Sequence, residues 1–160
     1  MAAQTGRTTQ KFVDFRIDDS GGVLRSIPVS SINGVGLDYD TVDLTAFQDA
    51  IKGALPGHAN CTIDITGPFD TSAAAAAGTL SGSHTILYNL PGGTTPLSLD
   101  VIIGIRHAYE ATEPQFGITS TTTNGFLCKN YIVNQDGTYS ATFYVAAGSA
   151  APAWGSAVET

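Results

Sequence analysis

The chain has 160 residues and a net charge of −7, and only 13% of its residues are charged, against about 25% in typical globular proteins. Its seven basic residues are scattered and form no positive cluster for phosphates, which disfavours nucleic-acid recognition. No apolar run approaches the ~20 residues that span a bilayer, and the N-terminus lacks the apolar core of a secretory signal. We therefore expect one domain, made and folded in a cytoplasm, with no membrane association.

So few charges leave little to oppose self-association. This favours a subunit whose surface is covered by copies of itself. The alternative is a chain that tolerates a surface rich in Ser, Thr, Gly and Ala.

Most of the chain alternates apolar and polar residues, which is the pattern of strands that bury one face. The sequence predicts a flexible N-terminal segment over residues 1–10, a β-domain over 11–148 and an extended tail over 149–160. Predicted strands cover residues 11–17, 23–29, 58–67, 84–90, 97–110, 116–123, 124–135 and 138–147. A further alternating run places Val35, Leu37 and Tyr39 on one face, directly before the helical insert. Asp136-Gly137 is a strong hairpin signal between the last two. The fold class is therefore mainly β, a β-sandwich or β-barrel with one or two short helices.

Two segments depart from the alternation and predict helices. Within the inserted loop 38–57, Leu44, Phe47 and Ile51 fall on helical spacing. The second predicted helix covers residues 70–80, where a run of alanines follows a capping Asp or Thr.

Three acids, Asp38, Asp40 and Asp43, open the first predicted helix. Acids at this position interact favourably with the positive end of the helix dipole, by about 0.3–1 kcal/mol each. The same density could serve a calcium loop or a carboxylate pair for hydrolysis, but the Gly and closing Glu of an EF-hand are missing. We favour the structural interpretation.

The remaining residues with catalytic potential form no recognisable motif. His58 and His84 follow glycine-containing turns and are expected to be exposed, whereas His107 lies in line with an apolar strand face. The patterns of a nucleophile elbow, a phosphate loop and a zinc protease are absent from the sequence. Cys61 and Cys128 are interpreted as buried thiols, and a bridge between them is the alternative. The sequence therefore predicts no enzyme, no cofactor and no metal.

One stretch resembles a known family. The sequence "VDLTAFQDAIKGALPGHANCTIDITGPFD" at 42–70 resembles the central signature of the tail tube (major tail) proteins of long-tailed bacteriophages. The early "DDSGGVLRSIPVSSI" at 18–32 is similar to the opening hairpin of that family, and "NGFLCKNYIVNQDGTYSATFYVAAG" at 124–148 is similar to its final strand pair. Gln48 and Pro68 depart from the family pattern.

The resemblance implies a structural virion protein that assembles into hexameric rings stacked as a hollow tube. One sheet of each subunit would line a channel through which DNA passes without specific binding. The long loop would reach an adjacent subunit or ring, and its predicted contact residues are Leu44, Phe47, Asp49, Ile51, Lys52 and Leu55. Candidate channel-lining residues are Asn60, Thr62, Asp64, Thr66 and Asp100. The expected partners are further copies and other tail or head–tail proteins, in a virion tail assembled in the host cytoplasm.

The predicted helix of the loop is too short to be stable alone in water. Its apolar side chains must therefore be buried, either against another copy or against the sheet of the same chain.

Three other functions fit parts of the sequence. The same fold could decorate a capsid or connect head and tail, since fold alone does not separate such roles. A carbohydrate-binding β-sandwich would use Trp154, Tyr131 and Tyr144 for stacking. A hydrolase is the weakest alternative because no acid–base pair is placed.

Overall fold

The computed structural model describes residues 13–76, 79–103 and 113–155. Two antiparallel sheets and a separate two-stranded hairpin account for its strands. In chain order the elements are β1 Val13–Asp18, β2 Leu24–Ile27, β3 Ser31–Asn33, β4 Asp38–Asp43, β5 Ala54–Asn60, β6 Thr62–Pro68, α1 Ser83–Leu87, β7 Leu99–Ile103, β8 Gln115–Ile118, β9 Phe126–Val133, β10 Thr138–Val145 and β11 Ala153–Gly155. The prediction of a mainly β fold is confirmed.

One sheet has the strand order β11-β8-β7-β1-β2 and the other has the order β3-β6-β10-β9. Their facing sides form a shared apolar core, in which Phe15 of β1 and Phe143 of β10 lie 5.8 Å apart between ring centroids. Burial of each large apolar side chain contributes roughly 1.5–3 kcal/mol. The Tyr139 hydroxyl of β10 donates a hydrogen bond to the Pro28 carbonyl after β2, at 2.7 Å, and so ties the two sheets together.

The clearest predicted strands form where expected. In β6 the apolar Ile63 and Ile65 are buried, and the polar residues between them are exposed. β9 and β10 pair as an antiparallel hairpin around Asp136-Gly137, as the Asp-Gly signal predicts. Gly137 has a φ of 80°, the left-handed conformation that such a turn requires.

The prediction of a helix over 70–80 is wrong for the residues that the structure describes; residues 77–78 lie outside them. Side chains bind the backbone groups that a helix would use. Asp70 accepts a hydrogen bond from the Ser72 amide, Ser81 accepts one from the Ala75 amide, and Arg25 donates one to the Ala75 carbonyl. Such bonds compete with helix formation.

The prediction of a strand over 84–90 is also wrong, because α1 occupies its first half. Ile86 and Leu87 point into the core from this single helical turn. A short apolar run fits a buried strand and a buried helix equally well, so periodicity alone did not distinguish them.

Parts of other predictions fall outside the described residues. These are the N-terminal segment 1–10, the beginning of the first predicted strand, residues 104–110 with His107, and the end of the tail. Within the tail, β11 pairs with β8 at the edge of the five-stranded sheet.

Candidate assembly interface

Residues 38–60 form a β-hairpin, here named the arm, that pairs with neither sheet of the sandwich in the described structure. The helix predicted within it is therefore wrong. Tyr39, Thr41 and Val42 are aromatic or β-branched and favour a strand, and Pro56 with Gly57 disfavours a helix in the returning segment. Val42 and Leu55 lie directly opposite each other in the ladder.

Polar side chains hold the tip of the arm in its non-helical form. The Asp43 carboxylate accepts a hydrogen bond from the Thr45 amide at 2.9 Å, and the Asp49 carboxylate accepts one from the Ala46 amide at 2.8 Å. The Thr45 hydroxyl accepts another from the Gly53 amide at 2.9 Å. Hydrogen bonds from Thr45 lower the pKa of Asp43 below its usual value. These side chains take the backbone donors at the tip that a helix would need.

The large apolar side chains of the arm are exposed to solvent. Phe47 is fully exposed, and Ile51 at the tip is 82% exposed. The other large apolar residues of the arm are each about half exposed: Tyr39, Val42, Leu44 and Leu55. Contiguous apolar patches beyond a few hundred Å² mark interaction surfaces in soluble proteins. The arm is therefore the strongest candidate for a binding surface in the described structure.

The six residues predicted for the inter-subunit loop all lie at or beside the arm tip. Asp49 also has a structural role, since its carboxylate accepts the hydrogen bond from the Ala46 amide that fixes the turn. Tyr39 and Val42 were not among the predicted contact residues, and they extend the apolar surface along β4. Their aromatic and β-branched character was the available signal for a strand at this position.

The candidate channel-lining residues divide between two places. Thr62, Asp64 and Thr66 share the outer face of the four-stranded sheet, and Asn60 lies at the end of β5 beside them. Asp64 accepts a hydrogen bond from the Thr142 hydroxyl of the neighbouring strand at 2.6 Å. The remaining side chains of this face on β10 and β9 are Thr138, Ser140, Tyr144, Leu127, Asn130 and Ile132, and the exposed Lys129 lies at the bulge of β9 next to Asn130. The face is thus mostly uncharged and polar.

Asp100 lies on the other sheet and is only 7% exposed, so it does not share this face. It stands opposite Arg16 in register, within a buried polar layer on the outer side of the five-stranded sheet. There the Arg16 guanidinium contacts the Asp14 carboxylate at 3.0 Å, and Ser26 donates a second hydrogen bond to that carboxylate. Because Asp14 and Asp100 are buried in the single subunit, they do not form an exposed acidic wall.

His84 differs from its prediction, because it lies in α1 and is half-buried rather than exposed. Its ring lies 5.0 Å from that of Phe69 and 5.4 Å from that of Tyr88, measured between centroids. His84 Nδ1 also lies 3.2 Å from the Tyr131 hydroxyl. His58 is exposed as expected, although it lies on β5 rather than in a loop.

The two cysteines are buried and free, as the thiol interpretation predicts. Burial raises the pKa of Cys128 to about 11 and raises that of Cys61 as well, so both favour the neutral thiol. No three His, Cys, Asp or Glu residues of the described structure form a group that could hold a metal ion. Within the same residues, no helix has the length and apolar character needed to cross a membrane.

The side chains of the carbohydrate hypothesis are not brought together. Trp154 packs on Phe116 at the edge of the five-stranded sheet, Tyr144 lies on the outer face of the other sheet, and Tyr131 contacts Tyr139 on its core side. They form no common stacking platform.

Solved structures of a sheath/tube terminator, a tube terminating cap and a sheath–tube complex have a similar fold. The chain matches the sheath/tube terminator of an extracellular contractile injection system, PVC, in the extended state, with a TM-score of 0.54 and 11% identity over 96% of this chain and 99% of that one. It matches the tube terminating cap of the anti-feeding prophage, AFP, with a TM-score of 0.55 and 8% identity over 98% of this chain and 96% of that one. A third match is a chain of the PVC sheath–tube complex in the extended state, with a TM-score of 0.51 and 10% identity over 93% of this chain and 91% of that one.

At these identities the matches show a shared fold. No family model matches the sequence. The curated proteins also contain no match.

Proposed function

We propose that the protein is a structural subunit of a phage-tail-like tube that self-assembles through its arm. The observation that carries this proposal is the concentration of exposed apolar side chains on a hairpin that projects from the sandwich. Exposed apolar side chains on a projecting hairpin are unfavourable in a monomer in water, and contact with another copy would bury them. The fold shared with a sheath/tube terminator, a tube terminating cap and a chain of a sheath–tube complex supports the same role.

The outer face of the four-stranded sheet is the proposed channel wall. Its exposed side chains are mainly hydroxyls and amides, with Asp64 as an acid and Lys129 as a cation at the bulge of β9. Binding of a polyanion needs clustered Lys and Arg, which this face lacks among the described residues. The five-stranded sheet is a poorer candidate because its outer side carries the buried layer around Arg16. We propose that six copies place this wall around a channel that conducts DNA in a virion tail.

The sheet proposed as the wall has edges that suit joining to neighbours. β3, at one edge, is only three residues long, and β9, at the other, is paired with β10 on one side. Among the described residues, isolated bridges from Leu97 to Phe126 and from Pro91 to Cys128 cover the first half of β9, and none covers its second half. Strand edges that retain unpaired backbone groups are ready to pair with another chain.

Replacing the aromatic ring at the arm tip tests the proposal. Phe47→Asp should stop assembly and leave a soluble monomer, because the side chain is fully exposed and its replacement should change the free energy of unfolding by less than about 0.5 kcal/mol. Negative-stain microscopy and light scattering measure assembly, and thermal unfolding measures stability.

The matched control is Tyr88→Asp, which places the same charge at another exposed aromatic residue, outside the arm. It should assemble like the unmodified chain. Equal loss of assembly in both variants would contradict a specific role of the arm, and loss of folding in Phe47→Asp would mean that the arm packs on its own sandwich.

A second candidate is a subunit that ends a tube with one ring rather than extending it. This is favoured because two of the matched structures are a sheath/tube terminator and a tube terminating cap, each aligned over more than nine-tenths of both chains. Microscopy of the purified protein distinguishes the two: stacked rings support a tube subunit, and single rings support a terminator.

A further inference from the structure

Among the described residues, the two sheets leave a mostly apolar slot between them at one edge of the sandwich, with Ser30 and Ser31 as its polar lining. It has a volume of about 150 Å³, and its apolar lining comprises Val13, Val29, Ile32, Val35, Val101 and Ile103. Val101 is fully buried at the slot, whereas the others pack against the core and are only partly buried. An apolar cavity of about 150 Å³ is large enough to hold a benzene ring. The slot therefore has the size and character of a site for a phenyl group.

The arm presents a phenyl group in the same molecule. Phe47 is fully exposed at the tip, while Val35, which lines the slot, lies at the root of the arm. Six residues of extended strand separate root from tip by roughly 20 Å at ~3.3 Å per residue. A paired hairpin cannot fold back on its own root, so the ring can enter a slot only on another copy.

We propose that Phe47 of one copy inserts into the slot of a second copy, a contact that specifies the self-assembly put forward above. The exposed apolar side chains of the arm supply on the order of several hundred Å² of the ~800 Å² per partner in a standard interface. Tip and slot are different surfaces, so the contact is head-to-tail. Contacts of this type propagate into closed rings or stacks.

Crosslinking between two singly substituted chains tests the insertion. A size-tagged Gln48→Cys chain, which keeps the Phe47 ring beside the new thiol, is mixed with a Val35→Cys chain under mild oxidation and separated on a non-reducing gel. Cys61 and Cys128 are buried, so the unmodified chain gives the background. The mixture should give a covalent heterodimer. Replacing Val35→Cys by Thr122→Cys, an exposed position away from the slot, should not.

Filling the slot gives an independent measurement. Val35→Phe should occupy the slot with its own ring and abolish assembly, whereas Val23→Phe, at an exposed valine in the β1–β2 turn, should leave assembly unchanged. Thermal unfolding of both variants identifies any general loss of folding.

The outcomes separate this inference from the proposed function. A heterodimer specific to the slot, with assembly lost in Val35→Phe, supports the insertion. Rings or tubes without the heterodimer overturn the insertion and leave the structural role standing. The heterodimer without rings or tubes supports the insertion and overturns the tube role, and the absence of both overturns the two together.

Discussion

Single residues decide how the arm leaves the sandwich. Gly34 has a φ of 85°, which is strained for any residue with a side chain, and an added Cβ would collide with the Thr62 carbonyl oxygen of β6. Gly36 follows with a φ of 136°. The two glycines let the chain cross closely over β6 before β4 begins.

Substitution at the arm root should be costly. Gly34→Ala should lower the free energy of unfolding by about 1–3 kcal/mol, because the backbone conformation and the clash with Thr62 both disfavour it. Urea unfolding of the monomer measures the change. The control is Gly53→Ala, where φ is ordinary and an added Cβ meets nothing within 4 Å. A neutral Gly34→Ala would show that the root adapts more freely than its conformation indicates.

Strands were predictable from the sequence where one face packs in the core and the other is exposed to solvent. Ile63 and Ile65 in β6 and the Asp-Gly turn before β10 carry strong local signals, and the structure agrees with them. The arm lacks that signal because it has no buried face in the single subunit. Its apolar residues fell on helical spacing by coincidence, while the decisive bonds from Asp43, Thr45 and Asp49 are local and leave no periodicity.

The site was predictable to a similar extent. The apolar residues near Phe47 were proposed as contacts from the resemblance and from the need to bury apolar side chains, and both arguments hold whether the segment is a helix or a strand. The structure shows that these side chains are exposed, and their contact with another copy stays a prediction. The slot was beyond sequence reasoning, because it is made where β1, β3 and β7 meet and Val29 lies far from Ile103 in the chain.

The arm should be separable from the sandwich. Asp43 and Ala54 are paired in register, so replacing residues 44–53 with Asn-Gly should close β4 and β5 as a tight two-residue hairpin. Because the removed segment is exposed throughout, the variant should unfold within a few degrees of the unmodified protein yet remain monomeric. Calorimetry and light scattering measure the two properties. A large fall in unfolding temperature would show that the tip supports the sandwich.

At the scale of the whole molecule, the charge of −7 is compatible with a channel that releases DNA. Exposed acids repel phosphates over about 8 Å at physiological salt. In an assembled ring, Asp64 would be repeated in every copy on the proposed wall.

Reversing that charge tests which face is the wall. Asp64→Lys should leave assembly intact and make tubes retain double-stranded DNA at low salt, with retention lost as salt rises. Fluorescent DNA that sediments with the tubes measures it. Asp136→Lys, in the exposed β9–β10 turn, is the control for added charge alone. Equal retention by both variants would contradict the assignment of the wall.

The separation of arm tip and slot has a consequence for growth. Where the contact joins one ring to the next instead of closing a ring, a subunit that fills its neighbour's slot still offers an empty slot of its own, so each addition leaves a site for the next. An assembly made this way has two unlike ends and no built-in length. Its extent must then be fixed from outside the chain, by a measuring molecule or by a different protein that occupies the last slot.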